Sequence, residues 1–320
     1  MYSIGSLVLS YKSTFTVMKN NPASTGSGSE RAKVLIIGAT GRVGSQVVEE
    51  LDRNSDSITV RLSTTDQKKA NQWQQQGWDS VVLDLDKPET FADALDGIDR
   101  IFLLTGYTVD MLRQSKLLVD AASKAGVSHI VHLGVFTSRH DLIPHFMWHD
   151  MVETYIEASG MAWTHLHPNV IADTSLAVDP PITEIGSFTV YWGDAPQGWV
   201  FASDIAAVAA TVLREGPKKR GGANYYLSTE VLTGPQVAAI LSKASGKEIT
   251  CNVLNPDDQK AIIEQIPSVL VKAYMESAYI TMQLAKSGQM EAQTIVKDDV
   301  LTVVGRPGLT MEEWARLNLV

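Results

Sequence analysis

The segment Lys33-Val34-Leu35-Ile36-Ile37-Gly38-Ala39-Thr40-Gly41-Arg42-Val43-Gly44 restricts the fold more than any other part of the chain. Its continuous apolar run predicts a strand buried on both faces of a parallel sheet. Three glycines spaced three apart follow at once, and Gln46 to Leu51 reads as a helix. Strand, glycine turn and helix together are the context of a dinucleotide fingerprint. Gly38 allows the sharp turn, Gly41 lets the backbone approach a pyrophosphate, and Gly44 lets the helix lie close to the strand. Thr40 and Val43 belong to the same turn. The free N–H groups and positive dipole end of the new helix point at that pyrophosphate.

From Lys33 to about Asn169 short apolar runs alternate with amphipathic segments. Strands are expected at Val34–Ile37, Ile58–Leu62, Ser80–Leu83, Arg100–Leu104, His129–Gly134 and Trp163–His167. Helices are expected at Val43–Leu51, Gln67–Gln76, Phe91–Leu95, Met111–Ala125 and His145–Ser159. The alternation implies an α/β fold, a Rossmann-like doubly wound parallel sheet, with a smaller C-terminal α/β lobe. Residues 32–170 read as the NAD(P)-binding domain, with later returns near 200–229, and 171–320 mostly as a substrate-binding lobe. Gly186 to Gly198 reads as loop, Asp204 as the cap of a helix Ile205–Arg214, and Tyr225–Leu227 as one more strand. No internal repeat is present.

Lys and Arg number 27 against 36 Asp and Glu, a net charge of −9, which argues against nucleic acid as a partner. No apolar stretch reaches the length of a membrane span. The one cysteine, Cys251, excludes an internal disulfide and fits a reducing, cytoplasmic setting. Residues 1–31 read as a flexible extension: Ile4 to Leu9 is apolar without a preceding Lys or Arg, unlike a signal peptide, and Asn20 to Ser29 is rich in Asn, Ser and Gly. Translation from Met18 instead of Met1 is an open alternative.

Several segments resemble the NmrA-like branch of the atypical short-chain dehydrogenase/reductases, a group that includes type 2 quinone oxidoreductase, triphenylmethane reductase and azoreductases. The resemblance runs from about Lys33 to Leu317. It is carried by Gly38 to Gly44, Val82-Leu83-Asp84-Leu85-Asp86, Val119 to Val127, Ser159 to Leu166, Ser203-Asp204-Ile205-Ala206-Ala207 and Gly305-Arg306-Pro307-Gly308-Leu309-Thr310. No Tyr is followed four residues later by Lys, so the proton-donating pair of the classical enzymes is absent. Some members of the branch sense dinucleotides without catalysis. The resemblance therefore implies an NAD(P)H-dependent reductase acting on a small planar or carbonyl-type acceptor, or alternatively an NADP(H)-sensing regulator. A small molecule is the expected partner; a homodimer or a regulatory protein partner is compatible with the sequence.

Cofactor choice is read at the end of the second strand, where a carboxylate would favour NAD(H). That strand ends Arg61-Leu62-Ser63-Thr64-Thr65, with no acid before Asp66, and Arg42, Lys68 and Lys69 are near. NADP(H) is preferred, with NAD(H) still open. The competing reading makes Arg42 and Arg61 solvated surface charges. By resemblance, Asp84 and Leu85 flank the adenine, Leu104-Thr105-Gly106 passes the nicotinamide ribose, and Ser63, Gly134 and Asn169 complete the cofactor contacts. A turn or cap role for Asp84 and a plain β-turn at Gly106 are the alternatives. Tyr191, Trp192, Trp199 and Phe201 offer either an aromatic wall or core packing.

His149 is the sharpest candidate for chemistry, with Glu153 one helical turn on. By resemblance this is the place of a proton-transfer residue, or of a contact to the nicotinamide carboxamide; the alternative is a structural histidine. All seven histidines fall between His129 and His167. His145, His149 and Glu153 are successively four apart and could approach one ion. No thiolate is near, and nothing in the spacing brings the strand histidines His129, His132, His165 and His167 to the helical set, so no metal is assigned.

Overall fold

The computed structural model describes residues 31–53, 57–137 and 142–319. The expected N-terminal extension, apart from Arg31, and the choice between Met1 and Met18 lie outside the described residues, as does His140. Strands β1 (Ala32–Ile36), β2 (Ile58–Thr64), β3 (Asp79–Val82), β4 (Arg100–Leu104), β5 (His129–Leu133) and β6 (Ala162–Pro168) form the expected parallel sheet in the order β3-β2-β1-β4-β5-β6. The strand Ala223–Ser228 adds in parallel beside β6, and Lys297–Asp298 closes that edge antiparallel. The order reverses between β1 and β4, which puts a crevice beyond their carboxyl ends.

Helix α1 (Arg42–Arg53) covers one face of the sheet with the helix Ala202–Glu215; Val34 and Ile36 meet Val43, Val47, Val208 and Leu213 there. Helices α2 (Gln67–Gln75), α3 (Phe91–Leu95), α4 (Met111–Ala125) and α5 (Pro144–Ala158) follow their strands, and α3 to α5 cover the other face against Leu35, Ile101, Leu103 and Ile130. Apolar residues on both faces of β1 and β4 explain why these strands read as unbroken apolar runs.

A second core joins Phe188, Trp199, Phe201, Val237, Leu241, Met311 and Trp314. The stretch read as loop contains two short strands, Ser187–Val190, which pairs with Thr250–Val253, and Gln197–Val200, which pairs with Val170–Ile171 and Glu230–Leu232. Strands of four residues among glycines carry too little periodicity to be read. Asp204 does not cap its helix, which begins earlier at Ala202. Its buried carboxylate instead receives Arg306 Nη1 at 2.7 Å and the Leu309 N–H at 2.7 Å, tying the C-terminal segment down. No helix among the described residues is long and apolar enough to cross a membrane.

Candidate functional site

The glycine turn has the geometry its spacing predicts. Gly38 adopts φ +76°, a left-handed conformation that favours glycine. The Gly41 N–H donates to the Gly38 carbonyl at 2.8 Å, and Ser45 N–H to the Gly41 carbonyl at 2.9 Å, so the turn winds directly into α1. A Cβ on Gly44 would lie closer than 3.0 Å to that Gly38 oxygen, and one on Gly41 would lie 3.2 Å from it. Backbone proximity therefore demands the glycine at 44 and leaves only tight room for a Cβ at 41. No acidic side chain stands in the first turn of α1, whose N–H groups face the strand ends. Val43 is buried in the core, so only its backbone is available, and Thr40 is half-buried in the turn.

The basic residues divide. Arg42 crosses to the second lobe and donates from Nη1 to the Ala177 carbonyl at 2.7 Å. Arg61, expected at the cofactor corner, lies on the sheet face opposite α1. It pairs with Asp79 at 3.1 Å and donates to the carbonyls of Asp93, Ala94 and Asp96, holding the end of α3. The structure does not bring it to the glycine turn. Ser63 is buried and donates to the Ile36 carbonyl, binding β2 to β1. Asp66 caps α2 by accepting from Lys68 N–H, and Lys69 lies over the Trp73 ring.

Asp84 turns the chain after β3: its carboxylate accepts from the Asp86 N–H and pairs with Lys87 at 3.1 Å. Leu85 packs on the α3–α5 face of the core. Leu104 lies 3.4 Å from where a Gly38 Cβ would stand, and Thr105 is buried beside it. At Gly106 a Cβ would meet nothing within 4 Å and φ is not positive, so neither neighbours nor turn geometry require a glycine there.

A cavity of about 170 Å³ opens at the ends of β5 and β6, lined by Phe136, His145, Phe146, Asn169, Thr281 and Gln293. Asn169 donates to Ser228 Oγ at 3.3 Å and to the Gln293 carbonyl at 3.1 Å, so its amide pins the cavity wall. The helix Val269–Lys286 contributes Thr281 to the lining, and its Tyr274 meets Tyr107 and His145 with ring centroids 5.4 Å apart in each case. A larger groove, about 1090 Å³, lies elsewhere, on the outer surface of α3, α4 and α5, away from the strand ends. Trp199 and Phe201 are core residues, so any aromatic wall is left to Tyr191 and Trp192, both half-buried.

Helix α5 carries the histidine–carboxylate pair, but the two side chains differ. His149 is half-buried, and burial, then His145 and His167 nearby, pushes it down to about 3. It is therefore neutral at neutral pH and can polarise an oxygen only as a hydrogen-bond donor, not as an imidazolium. Glu153 is 3% exposed and points into the sheet, with Oε1 3.8 Å from His132 Nδ1 and 3.7 Å from His167 Nδ1. A Cβ on Gly134 would lie 2.6 Å from the same oxygen, so this glycine makes room for a carboxylate. The strand histidines do meet helix α5, contrary to the expectation from spacing: His132 lies 5.6 Å from His149 and 5.5 Å from His165 between ring centroids. Their register, with His132 beside His165, is set by strand pairing between segments thirty residues apart.

Residues 30–315 match the model of the NmrA-like family. An NAD(P)H azoreductase from Xenophilus azovorans is 29% identical over 288 residues, covering 89% of this chain and 97% of that protein. Quinone oxidoreductase 2 from Escherichia coli is 26% identical over 287 residues, covering 88% and 96%. The crystal structure of NmrA, a negative transcriptional regulator, superposes with a TM-score of 0.69 at 18% identity, covering 91% of this chain and 96% of that one.

Proposed function

This chain belongs to the NmrA-like family, and from that premise we propose that it is an NADPH-dependent reductase of a small planar acceptor, a quinone or an azo compound. The observation that carries this reading is the glycine turn: backbone closeness at Gly41 and Gly44, at the N-terminus of α1, where the strand order reverses. That turn fits a diphosphate, since Gly44 holds the N-terminus of α1 close against the turn and Gly41 leaves the exposed backbone beside it without a side chain. The nicotinamide, when bound, supplies the hydride. Gly106, bare and facing open space after β4, lets a ribose approach the backbone. The azoreductase and quinone oxidoreductase relatives favour acceptors of this class.

The chain's own contribution is binding, orientation and exclusion of water. His149, neutral and beside the strand ends, donates a hydrogen bond to the acceptor's developing oxyanion or amide anion. Glu153, buried beneath it, is a positioning residue. The helix Val269–Lys286 lines the cavity through Thr281. The test is NADPH oxidation on addition of quinones and azo dyes. Turnover is expected, and His149→Ala should lower kcat about 10- to 100-fold while sparing NADPH affinity. NADPH binding with no oxidation by any acceptor would favour a second reading, a dinucleotide sensor, to which the missing Tyr–Lys pair and the NmrA fold relative lend weight.

The preference for NADPH rests on Arg42 and on the absence of a free acid at the β2 corner, Asp66 being engaged in its cap. Arg42→Gln is expected to weaken NADPH about tenfold and NADH much less, on the scale of one charge-assisted contact of about 1.5 kcal/mol. Arg61→Gln should leave the ratio of the two affinities unchanged. Titrating both nucleotides into each variant measures this, and an unchanged ratio in Arg42→Gln would remove Arg42 from cofactor choice.

A further inference from the structure

Between the sheet and α5, two imidazoles and a carboxylate meet beneath the helix that carries His149. The potential ligand atoms of His132, Glu153 and His165 all lie within 4.8 Å of one another, and all three residues are buried. His132 and His165 come from adjacent parallel strands in register, and Glu153 reaches them from α5 over Gly134.

Core packing does not account for this arrangement. His132 is 0% exposed, and neither ring nitrogen has a hydrogen-bond partner among the described residues. An imidazole carries at least one N–H and one lone pair or two N–H groups, and leaving both nitrogens unmet in an apolar interior is costly. Two imidazoles and one carboxylate, with no thiolate, are instead the donor set of a borderline divalent ion.

We propose that His132, Glu153 and His165 bind one divalent transition-metal ion of the zinc type. Ligand bonds of about 2.0–2.2 Å would draw the donor atoms to about 3.4 Å apart, a shift within reach of side-chain rotation. Three protein ligands leave a fourth position for water. Glu157, with Oε1 3.5 Å from His165 Nε2, stands where an outer carboxylate orients a ligating imidazole. His167 stays outside the set, since Nδ1 faces the Val135 carbonyl at 3.0 Å and Nε2 faces Asn224 at 2.9 Å. The ion fastens α5, and with it His149, to β5 and β6.

The full chain, prepared without a metal-affinity tag and stripped with chelator, is titrated with Zn²⁺ and, separately, Co²⁺. One ion per chain is expected, with a rise in melting temperature for Zn²⁺ and the visible absorption of four-coordinate Co²⁺. Glu153→Gln and His132→Gln should lose both signals, whereas His145→Gln, whose ring is bonded to Ser277, should keep them. Should the ligand variants fold poorly, X-ray absorption of the Zn²⁺-loaded wild type decides, two imidazoles in the first shell being expected. No bound ion in the wild type, an ion retained by both ligand variants, or a first shell without imidazole would overturn the site.

Discussion

Gly44→Ala is expected to abolish dinucleotide binding in practical terms, lowering NADPH affinity about a hundredfold or more, which corresponds to about 3 kcal/mol. The added Cβ would run into the Gly38 carbonyl oxygen, a backbone atom that no rotamer change can move aside. Helix α1 would have to back away from the turn, carrying its N–H groups with it. Overpacking of this kind also costs about 1–3 kcal/mol of stability, because Val43, Val47 and Leu51 anchor the same helix in the core. Gly41→Ala separates the two effects. Its Cβ would sit 3.2 Å from the same oxygen, close enough for small adjustments, and its position is exposed. It should melt near the wild type yet bind NADPH more weakly. Nucleotide titration beside thermal melting measures both, and wild-type affinity in Gly44→Ala would remove the diphosphate from this turn.

The turn was legible because everything that determines it is local. Three glycines, an apolar strand before them and a helix after them lie within twenty residues, and β1 and β4 show their double-sided burial as unbroken apolar runs. Features set by distant partners were not legible. Asp204 stands before an apolar run and so reads as a cap, but the Arg306 and Leu309 that hold it lie about a hundred residues on. Arg61 reads as a phosphate ligand until Asp79 and the carbonyls after α3 are in place. Glu153 falls four residues after His149, and that spacing says nothing of a strand pair that buries it. The strand histidines His132, His165 and His167 held the missing signal, together with Gly134. Two strands that will pair, each placing a histidine on the face toward α5, leave a helix carboxylate among imidazoles.

Stability is expected to fall as pH drops from about 6.5 toward 4, through histidines that fold neutral. His129 is 0% exposed, and its Nε2 faces Thr164 Oγ1 at 2.9 Å. That hydroxyl donates to the Arg220 carbonyl, so it must accept from His129, which places the ring proton on Nε2 and leaves Nδ1 bare. A proton on Nδ1 would add a charge in the interior with Arg100 as its charged neighbour; burial first, and Arg100 second, push His129 down to about 4. His145 accepts the Ser277 hydroxyl at Nδ1, 2.7 Å away, while its own N–H donates to the same oxygen, and burial pushes it to about 4 as well. Both groups titrate near 6.5 once unfolded, so between about 6.5 and 4 the unfolded chain binds more protons and stability rises with pH. Each contributes at most about 1.4 kcal/mol per pH unit inside that window, which makes several kcal/mol across it for the pair. The buried carboxyls Asp173, Asp204 and Glu230 are raised, and on acidification they oppose the trend by taking up protons earlier in the folded state. His129→Gln isolates the histidine contribution, since the amide can still donate to Thr164 and cannot titrate. Urea unfolding at pH 7, 6 and 5 should give a smaller slope for this variant than for the wild type. Equal slopes would mean that His129 takes up its proton in the folded state as readily as in the unfolded chain.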